Sequence, residues 1–146
     1  MNLPPRPAPP MLHDKAPNFA ARTTMGDRTL SGYRGKWLLL FSHPADFTPV
    51  CTSEFVAFSN AAARFAAIGC ELLALSVDSL YSHLAWIRSI HEQFGVAVSF
   101  PIIEDPSMAI ARPTAWSRPT HPTPHWCGRP SSSTPRVRSA RSVGIP

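Results

Sequence analysis

Cysteine is scarce: the 146 residues contain three. Met1 to Pro10 lacks the charged start followed by an apolar stretch that a secretory signal needs. Together these features exclude a disulfide scaffold and point to a reducing, cytoplasmic compartment. No glycine-rich phosphate loop is present, which argues against nucleotide chemistry of the P-loop or dinucleotide type. The longest apolar runs are far too short to span a bilayer, so no membrane partner is expected. His121, His125 and Cys127 have no turn or strand framework to hold ligands at fixed angles and no fourth ligand, so neither zinc nor any other cofactor is expected.

Proline, by contrast, is plentiful and concentrated at the ends. Five of the 17 prolines fall in residues 1–10 and seven in residues 113–146. Residues 1–112 balance nine Lys or Arg against nine Asp or Glu, so the net charge of +5 comes from five arginines in 113–146, a stretch with no acidic residue. A segment rich in Pro, Ser and Arg without apolar periodicity cannot offset its ordering entropy. This composition predicts a disordered lead-in over 1–14, a folded unit over 15–112 and a disordered tail over 113–146. The tail's arginines are scattered among prolines and serines, with no aromatic platform beyond Trp116 and Trp126, so nucleic acid is not an expected partner.

Between the ends the chain alternates. Trp37 to Ser42 reads as a short buried strand, Thr52 to about Ala67 as a helix, Glu71 to Val77 as a second strand and about Ser82 to Phe94 as a second helix. Phe55, Phe58, Ala62 and Phe65 recur on one helical face, and Leu84, Ile87, Ile90 and Phe94 on another. This βαβα order predicts an α/β unit with parallel strands and helices packed on the sheet.

The chemistry is expected in the run from Ser42 to Glu54. Pro44 and Pro49 forbid continuation of the first strand and force a shaped loop that delivers Cys51 to a helix start. There the unpaired N–H groups and the helix dipole favour a thiolate, the reactive form of cysteine. Thr48 places a hydroxyl three positions before that thiol. Cys70, at the start of the second apolar strand, reads as core.

The pattern Pro44, Thr48, Cys51 resembles the signature of the peroxiredoxin (AhpC/TSA) family, and His43 to Glu54 is most similar to its one-cysteine subfamily. The likeness extends to Ala16-Pro17-Asn18-Phe19, Ser76-Val77-Asp78-Ser79, His83-Leu84-Ala85-Trp86 and Phe100 to Pro106, covering about 15–112. The resemblance implies a thioredoxin-like fold, here truncated. It implies that Cys51 is the peroxidatic nucleophile passing through a sulfenic acid, that Thr48 orients the reacting groups and that Pro44 shields the site. His43 and Glu54 would lie in the surrounding hydrogen-bond network, with Glu54 orienting an arginine from a later strand and Trp86 packing in its helix.

Beyond Arg112 the resemblance stops, and the genetic code suggests a reason. Written as CCT ACG GCA TGG, Pro113-Thr114-Ala115-Trp116 yields Tyr-Gly-Met, a family motif, when the register moves by one base. The same displacement over Trp126 to Val137 permits a second motif. Residues from Pro113 on are therefore expected to be an out-of-frame reading, testable in the DNA of codons 110 to 116. The family arginine would fall across Cys127 and Gly128 and is not carried at the matching place.

Two functions follow from the resemblance. One is a thiol-dependent peroxidase acting on hydrogen peroxide or organic hydroperoxides, regenerated by an external thioredoxin-like or glutathione-type thiol and assembled as a homodimer. The other is a catalytically impaired, truncated remnant acting as a redox-responsive or binding module.

Overall fold

The computed structural model describes residues 15–114. Two short strands, β1 (Ala20–Ala21) and β2 (Arg28–Thr29), pair antiparallel and lead through a 3-10 turn (Leu30–Tyr33) into β3 (Trp37–Ser42). From there the order is α1 (Pro49–Ala67), β4 (Cys70–Ser76), α2 (Leu80–Phe94) and β5 (Ile102–Glu104). The three later strands form a parallel sheet in the order β3-β4-β5, in register from Trp37 opposite Cys70 to Ser42 opposite Leu75, and from Ala74 opposite Ile102 to Ser76 opposite Glu104. Each parallel pair is joined by a helical crossover, as parallel strands require.

Strand alternation divides the apolar runs between two cores. Leu39, Leu72, Ala74 and Ile102 face α1 and α2, where they meet Cys51, Phe55, Trp86 and Ile90. Leu38, Leu40, Leu73, Leu75 and Ile103 face the opposite side, where Phe19, Tyr33, Ile110 and Ala111 cover them. A sheet buried on both faces explains why β3 and β4 read as nearly continuous apolar runs. Gly69 and Gly95 adopt left-handed backbone, with φ of 68° and 66°, at the ends of α1 and α2. The Gly95 N–H closes α2 by donating to the His91 carbonyl at 2.9 Å.

The βαβα alternation expected from sequence is present, with β4 running Cys70–Ser76 rather than Glu71 to Val77, and its details differ in four further ways. The first helix starts at Pro49 rather than Thr52, because proline lacks only an N–H that has no helical partner at the first position and its fixed φ suits the helix. The second helix starts at Leu80 rather than Ser82; Ser79 caps it by accepting from the Ser82 N–H at 3.3 Å, and Glu104 accepts from the Leu80 N–H at 2.7 Å. The buried face of α2 is His83, Trp86 and Ile90, with Ile87 at its margin, whereas Leu84 and Phe94 are exposed. The helix is rotated toward its polar partners, since His83 finds acceptors inside. Finally, β5 and the β1-β2 hairpin are additional to the elements read from periodicity, being two or three residues long.

The expected tail begins inside the described residues. Thr114 continues the turn after β5, its N–H reaching the Ile110 carbonyl at 3.3 Å and its hydroxyl donating to the same oxygen at 2.8 Å. The remainder of the tail, the lead-in over 1–14 and the His121, His125, Cys127 group lie outside the described residues.

Candidate active site

The loop that follows β3 is built from short-range polar contacts. The His43 N–H donates to Leu75 O at 3.1 Å, extending the ladder one residue past the strand. The Asp46 N–H then donates to Asp78 Oδ2 at 2.8 Å, and the Ser76 hydroxyl donates to the same carboxylate oxygen at 2.8 Å. The loop before Cys51 is thereby bonded to the junction that follows β4. Phe47 takes left-handed backbone with φ of 60° and points outward. For a non-glycine residue that conformation is disfavoured and is found where surrounding structure dictates the turn.

Thr48 is the N-cap of α1, with extended backbone and Pro49 at the first helical position. Its hydroxyl donates to the Ala45 carbonyl at 3.0 Å rather than capping the helix, so both lone pairs of the oxygen remain open to accept. Cys51 is the third residue of the helix. Its side chain is buried, at 3% exposure, in the cluster of Phe55, Trp86 and Phe100. It is unbridged and has no hydrogen-bond partner among the described residues. Thr52, the next residue, donates its hydroxyl to Thr48 O at 2.8 Å and accepts from the Trp86 indole at 3.1 Å.

Pro44, Thr48 and Cys51 lie along one loop and helix start, where Pro44 is exposed, Thr48 half-buried and Cys51 buried. His43 is buried, its ring 4.9 Å from that of Phe55 and 5.0 Å from that of Trp86. Trp86 packs as expected, at 1% exposure. Glu54 is half-buried on α1, and among the described residues no cation pairs with it. Cys70, read from the sequence as core, is only partly buried and packs against the margin of the α1 and α2 core.

Two polar residues escaped sequence reasoning. Asp46 accepts from His43 Nε2 through Oδ1 at 2.8 Å, and its Oδ2 lies 2.8 Å from His83 Nδ1; all three side chains are at most 2% exposed. His83 Nε2 faces the Ile103 carbonyl at 3.2 Å. Burial alone would raise the Asp46 carboxyl, but hydrogen bonds from His43, His83 and Ser82 and the charge of His83 outweigh it and hold the group well below the usual carboxylate range. The signal in the sequence was the i, i+3 spacing of His43 and Asp46 and the motif His83 to Trp86; neither reveals a contact spanning 37 residues.

The ligand-type atoms of His43, Asp46 and His83 lie within 4.8 Å of one another, the spacing of a metal site. Each Asp46 oxygen already faces an imidazole nitrogen at hydrogen-bond distance, and a proton in each gap satisfies the carboxylate, while His43 Nδ1 has no partner among the described residues. Among the described residues, no helix is long and apolar enough to cross a membrane.

The AhpC/TSA family model matches residues 12–124. Peroxiredoxin 2 of Thermoplasma acidophilum is 60% identical over 101 residues, 69% of this chain and 51% of that protein. A peroxiredoxin of Aquifex aeolicus is 46% identical over 115 residues, 78% of this chain and 52% of that protein. The chain spans about half the length of the curated relatives it matches. Among solved structures, a yeast mitochondrial 1-Cys peroxiredoxin superimposes with a TM-score of 0.64 at 44% identity, covering 67% of this chain and 47% of the other. The reduced 2-Cys peroxiredoxin of Plasmodium vivax gives 0.63 at 34% identity, over 68% and 66% of the two chains.

Proposed function

The chain belongs to the AhpC/TSA family and has the thioredoxin-like fold of its structural neighbours, and on that premise we propose that it is a thiol-dependent peroxidase with Cys51 as nucleophile. The observation that carries the reading is the position of Cys51: third residue of a helix, directly after a proline-bracketed loop, with the open lone pairs of Thr48 three residues earlier. N–H groups in a first turn are unpaired within the helix and favour a negative sulfur.

In the proposed reaction the Cys51 thiolate attacks one oxygen of a hydroperoxide in line with the O–O bond. The S–O bond forms as the O–O bond breaks, and the departing hydroxide or alkoxide takes a proton to leave as water or alcohol. Sulfur is oxidised by two electrons to the sulfenic acid and the peroxide is reduced. Thr48, already donating to Ala45, accepts the O–H of the hydroperoxide and sets its direction. Pro44, on the exposed rim, shields the sulfur from bulk water. His43 belongs to the network beneath, and Glu54 is assigned to the same network from α1.

An external thiol then displaces water from the sulfenic acid to give a mixed disulfide, and a second thiol releases Cys51 reduced. We assign the reductant to the thioredoxin-like or glutathione-type class. The solved yeast 1-Cys relative is described in terms of glutathione and thioredoxin systems, and Cys70 starts β4, packed against the core, rather than lying within the Cys51 loop. Residues 15–112 form the working unit of the proposal, flanked by the segments 1–14 and 113–146, in a cytoplasmic homodimer.

The test is peroxide consumption by the full chain with excess dithiol. Multiple turnovers abolished by Cys51→Ser support the reading. Consumption that stops at one peroxide per chain, or survives Cys51→Ser, overturns it in favour of a module that is oxidised without turning over.

A further inference from the structure

We propose that His83, 32 residues past the nucleophile, is a positioning residue of the Cys51 site: through Asp46 it holds His43 in the Nε2–H tautomer, leaving His43 Nδ1 as a buried acceptor on a ring packed against Phe55 and Trp86. The inference rests on Cys51 being the reacting group.

The proton count follows from the partners. His83 is fully buried at 0% side-chain exposure, so water cannot satisfy it. Its Nδ1 faces a carboxylate oxygen and its Nε2 faces the Ile103 carbonyl, and both partners are acceptors. A neutral imidazole has one N–H, and in either tautomer it would set a lone pair against an oxygen lone pair. Only a ring that donates from both nitrogens satisfies both contacts. The groups that face it are Asp46 from the loop, whose carboxylate supplies the counter-charge, and His43, whose ring centroid is 6.1 Å away. Glu104 of β5 adds a further negative charge that interacts with His83, and Asp78 holds the Asp46 backbone from the β4 end.

With one oxygen engaged by His83, Asp46 presents the other to His43 Nε2, which must donate. The remaining nitrogen, His43 Nδ1, is then a lone pair, and among the described residues it is buried without a hydrogen-bond partner. An acceptor left open in an otherwise satisfied network of three side chains is a costly arrangement unless a donor arrives there. The ring packs against Phe55 and Trp86, which share one core cluster with Cys51. The two βα junctions thus share one device: the second fixes, through a carboxylate, which edge of a histidine the first presents to the pocket.

The experiment is imidazole 15N–1H correlation on the full chain labelled at histidine. Signals are assigned with His43→Gln and His83→Gln. His83 is expected to show protons on both nitrogens and His43 a proton on Nε2 alone. A neutral His83, or a His43 protonated at Nδ1, overturns the inference whatever the peroxidase assay reports. Stoichiometric zinc binding that displaces these protons overturns it as well.

The reactive consequence is read as the pH profile of Cys51 alkylation in a Cys70→Ser, Cys127→Ser background. His83→Leu is expected to slow alkylation roughly tenfold and shift the profile, with partial recovery in His83→Gln, which keeps one donor toward Asp46. Profiles identical to wild type in both variants overturn the positioning role. Should His83→Leu not fold, the wild-type spectrum and His83→Gln still decide. Loss of peroxidase turnover with the expected spectrum intact would count against the proposed function and not against this network.

Discussion

The Trp86 indole donates to the Thr52 hydroxyl at 3.1 Å, so α2 is bonded to the residue that follows Cys51. Thr52 in turn donates to the Thr48 carbonyl, and the helix start is tied down from inside the core. Trp86→Phe should keep most of the packing and lose the bond, destabilising by about 1 kcal/mol. Trp86→Ala should cost about 3 to 5 kcal/mol because the surrounding core cannot close over so large a void. Urea unfolding followed by far-UV circular dichroism measures both.

Removing the Thr48 hydroxyl should separate chemistry from folding. Thr48→Val keeps the shape of the N-cap and deletes both the donor to Ala45 and the open lone pairs. The expected outcome is a roughly 100-fold slower Cys51 oxidation by peroxide and a loss of stability of only about 1 kcal/mol. Thr48→Ser should retain most of the rate. Stopped-flow oxidation against hydrogen peroxide checks it, and equal rates for the valine and serine variants would refute the role of the hydroxyl.

Asp46 sets a sign for the acid dependence of stability. Despite its burial, hydrogen bonds from His43 and His83 lower the folded-state value of the carboxyl. Its contribution is therefore complete above the ordinary carboxylate range and is lost as pH falls through that range toward the depressed value. Asp46→Asn should destabilise the protein at pH 7 and flatten the acid limb of the stability curve. Denaturant midpoints between pH 3 and pH 7 provide the comparison; parallel curves would contradict the assignment.

Gly95 ends α2 in left-handed backbone at φ of 66°, with open space where a Cβ would stand. Gly95→Ala meets no clash with neighbours and should cost about 1 kcal/mol for the conformation alone. A thermal melt reads this loss, and no change in midpoint would mean the cap rearranges.

The parts of the fold legible beforehand were those that burial writes into periodicity. Leu38 to Phe41 and Leu72 to Leu75 are apolar at every position because both sheet faces are covered, and the Phe55, Phe58, Ala62, Phe65 stripe marked the inner face of α1. The face of α2 was misjudged because His83 counts as polar in any pattern, yet its partner Asp46 makes it one of the most buried side chains. Hydrophobic spacing favoured Leu84 and Phe94, which are exposed. Cys51, Thr48 and Pro44 were legible as a local string, since their relation is set within eight residues. The Asp46 carboxylate joins residues 37 apart, and no local rule predicts a hydrogen bond across that distance.

Asp78 holding the Asp46 amide has a dynamic consequence. The stretch that presents the thiol hangs from the far end of the neighbouring strand, so fraying of the second βα unit would slacken the first. Accessibility of the sulfur to a labelling reagent and hydrogen exchange of the amides near Leu80 should then be governed by one shared opening event. Oxidation damage at this cysteine would accordingly track how often that unit breathes, rather than how exposed the atom is at rest.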